Sequence, residues 1–314
     1  MKLLVTGCAG FIGLNFVEFI FDNYPQDTVI GVDCLTYAAN EKALNRLKAK
    51  QNFTFYKNNI CNKEDMEKVF ASEKPDVVIN FAAESHVDRS IEDSDAFIKT
   101  NVYGTLVLLD MSRKYGVKRF HQVSTDEVYG GVELESKIRF TEDSPLNPSS
   151  PYSASKASAD LIAMSYMKTH GTPVSISRSS NNYGKYQHKE KLIPMTVDRI
   201  LSGKPVTIYG DGSNMRDWLY VEDNCRAIDR IIRAGECGIY NIGANNHISN
   251  IQLVRKIMTY MDKPDGEIAF VDDRKGHDKM YSVRCDKIIG LGWKPESEFE
   301  RELKYTVEWY EFNV

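Results

Sequence analysis

Short apolar runs rich in β-branched and aromatic residues recur at 2–6, 28–32, 53–57, 76–81, 119–124 and 173–178, and apolar positions between them follow helical spacing. Strands alternating with helices predict a parallel sheet, since a parallel pair needs a crossover and a helix supplies it. The expected fold class is α/β, a doubly wound parallel sheet followed by a smaller C-terminal α/β lobe. The texture changes near residue 140. There Ser144-Pro145-Leu146-Asn147-Pro148-Ser149-Ser150-Pro151 reads as a loop whose end, Ser150-Pro151, suits a helix start. Beyond 178 the runs shorten between Gly203, Gly210, Gly212, Gly235, Gly238 and Gly243. The predicted division is 1–175 for the larger lobe, with a segment near 215–240 returning to it, and 176–214 with 241–314 for the smaller.

Composition narrows the class of protein. With 314 residues, 42% of them apolar, the chain can bury a large core. Its apolar runs, such as Leu106 to Leu109, are too short to span a bilayer, so no membrane association, export or anchor is expected. Six cysteines (Cys8, Cys34, Cys61, Cys225, Cys237, Cys285) lie scattered without Cys-x-x-Cys spacing, which argues against a zinc site or a disulfide framework and points to the reducing cytoplasm. The formal net charge is −4 and no basic block carries interleaved aromatics, so nucleic acid is not an expected partner. No metal site is expected either.

The stretch VTGCAGFIG sets Gly7, Gly10 and Gly13 between the first strand and the first helix. Glycines at this spacing let the backbone turn tightly and approach a pyrophosphate at the helix N-terminus. Asp33, twenty residues after Gly13 and at the end of the second strand, is placed to accept ribose hydroxyls and to repel a 2′-phosphate. The larger lobe is thus expected to be Rossmann-type and to take NAD. Lys42 and Arg46 lie on a lysine-rich helical stretch and are read as solvated. In YSASKASAD, Tyr152 and Lys156 stand four apart on a predicted helix and share a face. There the ammonium favours phenolate, and tyrosine takes a hydroxyl proton as hydride leaves.

The turn, the Tyr/Lys pair and Ser124/Thr125 resemble an extended short-chain dehydrogenase/reductase. FAAESHVDRSI (81–91), STDEVYG (124–130), PYSASKASAD (151–160), NNYGKYQHKEKLIP (181–194), RDWLYVED (216–223), YNIG (240–243) and GHDKMY (276–281) resemble, in that order, the dTDP-glucose 4,6-dehydratases over nearly the whole chain. The resemblance implies a catalytic set of Thr125, Asp126, Glu127, Tyr152 and Lys156. It implies a cofactor set of Gly7, Gly10, Phe11, Ile12, Gly13, Asp33, Cys34, Leu35, Thr36, Asn59, Ile60, Phe81, Ala82, Ala83, Glu84, Ser85, Thr100 and Asn182, together with Tyr152 and Lys156. The substrate set would be Ser85, Thr125, Asn181, Lys191, Leu192, Thr207, Tyr209, Arg216, Asn250, Arg274 and His277. It further implies a homodimer through the helices near 94–115 and 151–170, whose Val102, Leu106, Leu109, Leu161, Ile162, Met164 and Met167 widen their apolar faces.

The chemistry explains why STDEVYG holds two acids. Eliminating water across C5 and C6 of a hexose needs an acidic C5–H, which only a C4 ketone provides. Once Tyr152 and NAD have made that ketone, one carboxylate removes the C5 proton and a second, protonated, gives its proton to the departing C6 hydroxyl. Adjacent carboxylates resist joint ionisation, which separates the two roles. The family makes Asp126 the acid and Glu127 the base. The partner is then a nucleotide sugar, dTDP-glucose or UDP-glucose; a nucleotide-sugar 4-epimerase and a non-catalytic NAD or nucleotide-sugar sensor are the alternatives. The sequence departs from the family at Asn59 (usually Asp), Lys185 and Lys275 (usually Pro) and Ser179 (usually Cys). His86 reads as structural, and His121, His170, His188 and His247 carry no expected function.

Overall fold

A computed structural model describes residues 1–264 and 266–313. The strands are β1 (Lys2–Thr6), β2 (Thr28–Asp33), β3 (Phe53–Lys57), β4 (Val77–Asn80), β5 (Arg119–Thr125), β6 (Val174–Ser179), β7 (Asn181–Tyr183), β8 (Val206–Tyr209), β9 (Met215–Tyr220), β10 (Gly238–Ile242), β11 (His247–Ser249) and β12 (Ile268–Val271). A seven-stranded sheet has the order β10-β6-β5-β4-β1-β2-β3, and each of its pairings is parallel. The six expected strands form here, each within a residue or so of its expected ends. Side chains alternate across the sheet: Leu3 and Val5 enter one core with Phe16, Val17 and Ile228, while Leu4 enters the other with Phe70, Leu108 and Phe120. Both faces are apolar because helices cover both. The chain winds outward in opposite directions from β1 and β4, so a crevice opens beyond their C-terminal ends.

The smaller lobe holds a three-stranded sheet, β11-β9-β7, and a parallel pair, β12-β8, over its own core of Val206, Ile208, Val254 and Met258. The lobe boundaries differ from those predicted. The β9 strand pairs with β7 and β11, so the returning segment starts at helix Val221–Ala234, whose Cys225, Ile228 and Ile231 are buried in the core shared with helix Phe11–Asn23. It ends at Ile242, because β10 pairs with β6 along its whole length. Likewise a boundary at 175 would cut β6, which stays in the large sheet to Ser179.

The helix expected near 94–115 is interrupted: Asp95–Phe97 leads into a π-helical stretch, Ile98–Gly104, before Thr105–Lys114. The widened turn accompanies a buried Asn101, whose side chain accepts from the Glu84 N–H (2.9 Å) and donates to the Glu84 carbonyl (3.0 Å) and Ser155 Oγ (2.8 Å). It thereby fixes the loop after β4. Leu109, expected on a partner-facing surface, is fully buried against the sheet, and Met164 and Met167 pack against the same core.

Candidate active site

The glycine turn is fitted so closely that side chains are excluded. Gly7 has φ +67°, and a Cβ on it would stand 2.7 Å from the Ala82 backbone nitrogen. A Cβ on Gly13 would stand 2.3 Å from the Gly7 carbonyl oxygen. The turn, helix Phe11–Asn23 and the loop after β4 thus meet backbone to backbone, leaving amides at a helix N-terminus free to face a pyrophosphate. This cradle fits NAD. Asp33 accepts the N–H groups of Ala9 (3.0 Å) and Leu35 (2.8 Å), one on each oxygen, leaving lone pairs for ribose hydroxyls. Burial raises its carboxyl and those two amides oppose the rise. Asn59 Oδ1 accepts the Cys61 N–H at 2.9 Å, so one of its lone pairs is already used. Cys34, Leu35 and Thr36 follow β2, Asn59 and Ile60 follow β3, and Phe81, Ala82, Ala83, Glu84 and Ser85 follow β4; Thr100 lies on the π-helical stretch. Arg46 donates to Tyr186 Oη (2.8 Å), whereas Lys42 is exposed.

The acid pair stands where β5 ends. Thr125 caps the short 3₁₀ turn Asp126–Tyr129, accepting the Glu127 N–H on its hydroxyl at 3.3 Å. The capping duty falls to the threonine, and both carboxyls are left to face a cleft of about 300 Å³ that Thr125, Asp126, Glu127 and Tyr152 line together. Ser85, Phe11, Ile12 and Asn182 line it too. Asp126 is buried, and burial, then Glu127 and Asp217, pushes its carboxyl well above the ordinary range. Burial raises Glu127 as well, but Arg216, Arg274 and Lys191 pull against that rise. Both acids are raised, but unequally surrounded: anions add to the rise of Asp126, while three cations oppose that of Glu127.

Ser150 begins the next helix, Pro151–His170, by accepting the Ser153 N–H at 3.1 Å in a capping box, with Pro151 in the first turn. This fixes Tyr152 at the cleft and Lys156 one turn below it. Lys156 is buried, donates to the Val123 carbonyl at 2.6 Å, and is pulled down to about 8 by burial, with Asp160 opposing. The Tyr152 phenol is pushed up by burial and by Glu127, Asp126 and Asp160. The phenolate that Lys156 is expected to favour is thus opposed first by burial and then by three acidic groups.

An outer cavity of about 640 Å³ adjoins the cleft, and Asn181, Lys191, Arg216 and Arg274 line both. Leu192, Thr207, Tyr209, Asn250 and His277 line the outer one, so each expected substrate residue reaches this continuous space. Arg216 is held by the carbonyls of Met215 (2.7 Å) and Asp278 (3.1 Å), with its guanidinium 4.6 Å from the Tyr281 ring. Lys191 donates to the Ser85 carbonyl at 2.9 Å, tying the small lobe to the loop after β4. Several polar atoms are buried without a partner among the described residues: Asn181 Oδ1, Asn182 Oδ1, Ser180 Oγ and Arg274 Nε. Such atoms in a cavity wall suit a polar ligand. Tyr281, which lines the cleft and donates to Asp278 at 2.9 Å, and Asn101 were missed from sequence. The motif GHDKMY contains Tyr281; nothing in the pattern marked Asn101.

The model of the family described as GDP-mannose 4,6 dehydratase matches residues 4–306. A dTDP-glucose 4,6-dehydratase of Haemophilus influenzae is 45% identical, with 100% of this chain and 98% of that protein covered. The low-salt glycan biosynthesis protein Agl12 of Haloferax volcanii is 46% identical over 99% of this chain and 98% of its own length. Among solved structures, the dTDP-glucose 4,6-dehydratase of Bacillus anthracis in complex with NAD superposes with a TM-score of 0.92 at 45% identity, covering 100% of this chain and 97% of that one. With a glycine cradle, a divided acid pair and a full-length match in hand, the chain belongs to the GDP-mannose 4,6 dehydratase family of nucleotide-sugar enzymes.

Proposed function

We propose that this protein is an NAD-dependent dTDP-glucose 4,6-dehydratase, a hydro-lyase that forms dTDP-4-keto-6-deoxyglucose. The observation that carries this reading is the unequal setting of Asp126 and Glu127. A 4-epimerase needs one proton-transferring group, whereas elimination needs an acid and a base at adjacent carbons. Tyr152 takes the C4 hydroxyl proton, and Thr125 hydrogen-bonds the C4 oxygen. The glycine turn of Gly7, Gly10 and Gly13 and the Asp33 carboxylate would hold NAD, which would supply the hydride acceptor for C4 and the donor for C6. Glu127 then removes the C5 proton while Asp126 delivers its own to the leaving C6 hydroxyl. Lys191, Arg216 and Arg274 converge on the same space and suit a diphosphate.

The division of labour predicts a bell-shaped pH dependence. Activity falls as pH drops through the raised value of Glu127 and again as pH climbs past the higher value of Asp126. The direct test is product analysis by NMR in deuterated water with dTDP-glucose and UDP-glucose. A 4-keto-6-deoxy product labelled at C5, formed faster from dTDP-glucose, is expected; a C4 epimer or no turnover overturns the reading.

Two further expectations belong to this proposal. The chain works as a homodimer, since Ile98, Tyr103 and Leu161 are exposed on the two helices expected at the interface; light scattering showing only monomer would contradict it. It works in the cytoplasm: its six cysteines are unpaired, and no described helix is long and apolar enough to cross a membrane.

A further inference from the structure

Tyr152, Lys156 and Asp160 recur at four-residue spacing on helix Pro151–His170, so they form one column on one face. The column descends from the cleft into the core, and Asp160 is fully buried at its foot. Opposite it on β6 stands Arg178, also inaccessible, whose Nε donates to Asp160 Oδ2 at 2.9 Å. Arg178 Nη1 in turn donates to Tyr129 Oη at 2.8 Å, and Tyr129 donates to Asn241 Oδ1 at 2.8 Å. The guanidinium therefore cannot swing away from the carboxylate. The second oxygen, Asp160 Oδ1, is buried with no hydrogen-bond partner among the described residues, as is Ser124 Oγ on β5.

A buried ion pair is a poor way to stabilise a fold, because desolvation cancels most of the attraction and apolar side chains of similar volume do as well or better. Its position directly beneath the hydride-transfer pair therefore asks for another reason. A lysine buried as deeply as Lys156 tends to lose its proton. The charged groups facing it are few: Asp160 from its own helix and, one turn above, Tyr152, while β5 offers the Val123 carbonyl. Asp160 itself faces Lys156, Arg178 from β6 and the Ser124 hydroxyl from β5; burial raises its carboxyl, and Arg178, in contact at 2.9 Å, is the chief group opposing that rise.

We propose that Asp160 is a positioning residue for hydride transfer: fixed by Arg178 one turn below Lys156, it supplies the anion that helps keep Lys156 an ammonium beneath Tyr152. Lys156 is drawn down to about 8, and Asp160 is the group opposing that fall. Removing the carboxylate lets Lys156 shed its proton at lower pH, and Tyr152 then loses the nearby cation that favours its ionised form. The inference rests on the reading of Tyr152 and Lys156 as the hydride-transfer pair.

The test is the pH profile of kcat for the NAD-loaded enzyme with dTDP-glucose, compared between wild type and Asp160→Asn. The variant should lose about tenfold to a hundredfold in kcat, part of the ~10²- to 10⁴-fold that positioned proton transfer contributes, with KM unchanged. Its alkaline limb should move to lower pH. Since Asp160→Asn strands a buried guanidinium and could unfold the chain, the double variant Asp160→Asn/Arg178→Met removes both charges. It should keep the shifted limb although its melting temperature recovers. Asp160→Glu, which retains the charge, should restore the limb toward its wild-type position. A double variant with wild-type kcat and an unshifted limb overturns the inference and leaves the pair a structural tie between helix and sheet. A wild-type enzyme with no turnover would instead sink the hydride-transfer reading.

Discussion

The two sides of the cleft are built on different principles. On the cofactor side, backbone meets backbone: Gly7, Gly13 and the loop after β4 approach so closely that a single Cβ has no room. On the substrate side, long side chains from separate segments converge, Lys191 from the loop after β7 and Arg216 from β9, both held by carbonyls, and Arg274 from the loop after β12, paired with Asp88 at 3.6 Å. A site made of backbone tolerates no change. A site made of side chains divides its energy among several groups, so single losses are graded. The acid pair lies on the seam, carried by the large sheet yet tuned by cations from the small lobe.

The largest effect should come from the cofactor side. Gly13→Val drives a branched side chain into the Gly7 carbonyl, opening the turn and separating its amides from the pyrophosphate. Titration calorimetry should find no NAD binding to a chain that retains its far-ultraviolet dichroism, and turnover should vanish. Wild-type NAD affinity in that variant would remove the distinction between the two sides. Next comes the seam. Glu127→Gln should lower turnover by ~10²- to 10⁴-fold while leaving oxidation at C4 intact, so absorbance of reduced cofactor should accumulate and solvent deuterium should not enter C5. Loss of reduced cofactor in the variant would place Glu127 in the first step instead.

What was legible in the sequence follows the same division. Gly7, Gly10, Gly13 and Asp33 could be assigned a duty from physical reasoning, because a tight turn demands glycine and a ribose demands an acceptor at one distance along the chain. The sheet was legible for a related reason: strands buried on both faces read as continuous apolar runs. Arg216 and Arg274 could not be read this way, since an arginine in a loop looks the same whether it meets solvent or a diphosphate, and only resemblance singled them out. The strand β9 was misplaced in the large lobe because its MRDWLY carries no mark of which sheet will pair with it; the chain crosses back only with helix Val221–Ala234, after β9 has paired with β7 and β11. Asn101 was invisible, because its role arises from a π-helical turn rather than from spacing.

On the substrate side, Arg274→Ala should raise KM for dTDP-glucose roughly 10- to 100-fold, the equivalent of one charge-assisted hydrogen bond at about 1.5–3 kcal/mol, with kcat changed far less. A fall in kcat alone would mean that Arg274 acts chiefly through Glu127. The seam yields a stability prediction as well. Asp126 has a folded pKa raised above its unfolded value, so its contribution is favourable in acid and is lost as pH rises from about 4 toward the raised value. Asp126→Asn should therefore melt at a higher temperature than wild type at neutral pH, and the gain should shrink as the solution is acidified. A constant difference across that range would mean that packing, not charge, explains it.

The smallest expected effect tests whether the two sides are mechanically joined. Lys185, which stands where the family usually has proline, reaches helix Phe11–Asn23 and meets Glu18 Oε2 at 3.1 Å; Tyr186 donates to Glu18 Oε1 at 3.0 Å, and Asn15 Nδ2 donates to the Lys185 carbonyl at 3.0 Å. A proline at that position would lack the ammonium, so this chain straps a substrate-side loop to the cofactor helix by charge. Both partners of the ion pair keep 22% of their side-chain surface in solvent, which holds its worth to about 1 kcal/mol or less. Glu18→Gln should accordingly lower the melting temperature by no more than about 2–4 °C, with the difference fading in high salt, and KM should stay near wild type because the strap touches no substrate group. A KM rise in Glu18→Gln as large as that of Arg274→Ala would show that the loop's attachment, rather than its side chains, governs substrate binding. The graded, side-chain-built half of the cleft would then depend on the cofactor half for its shape.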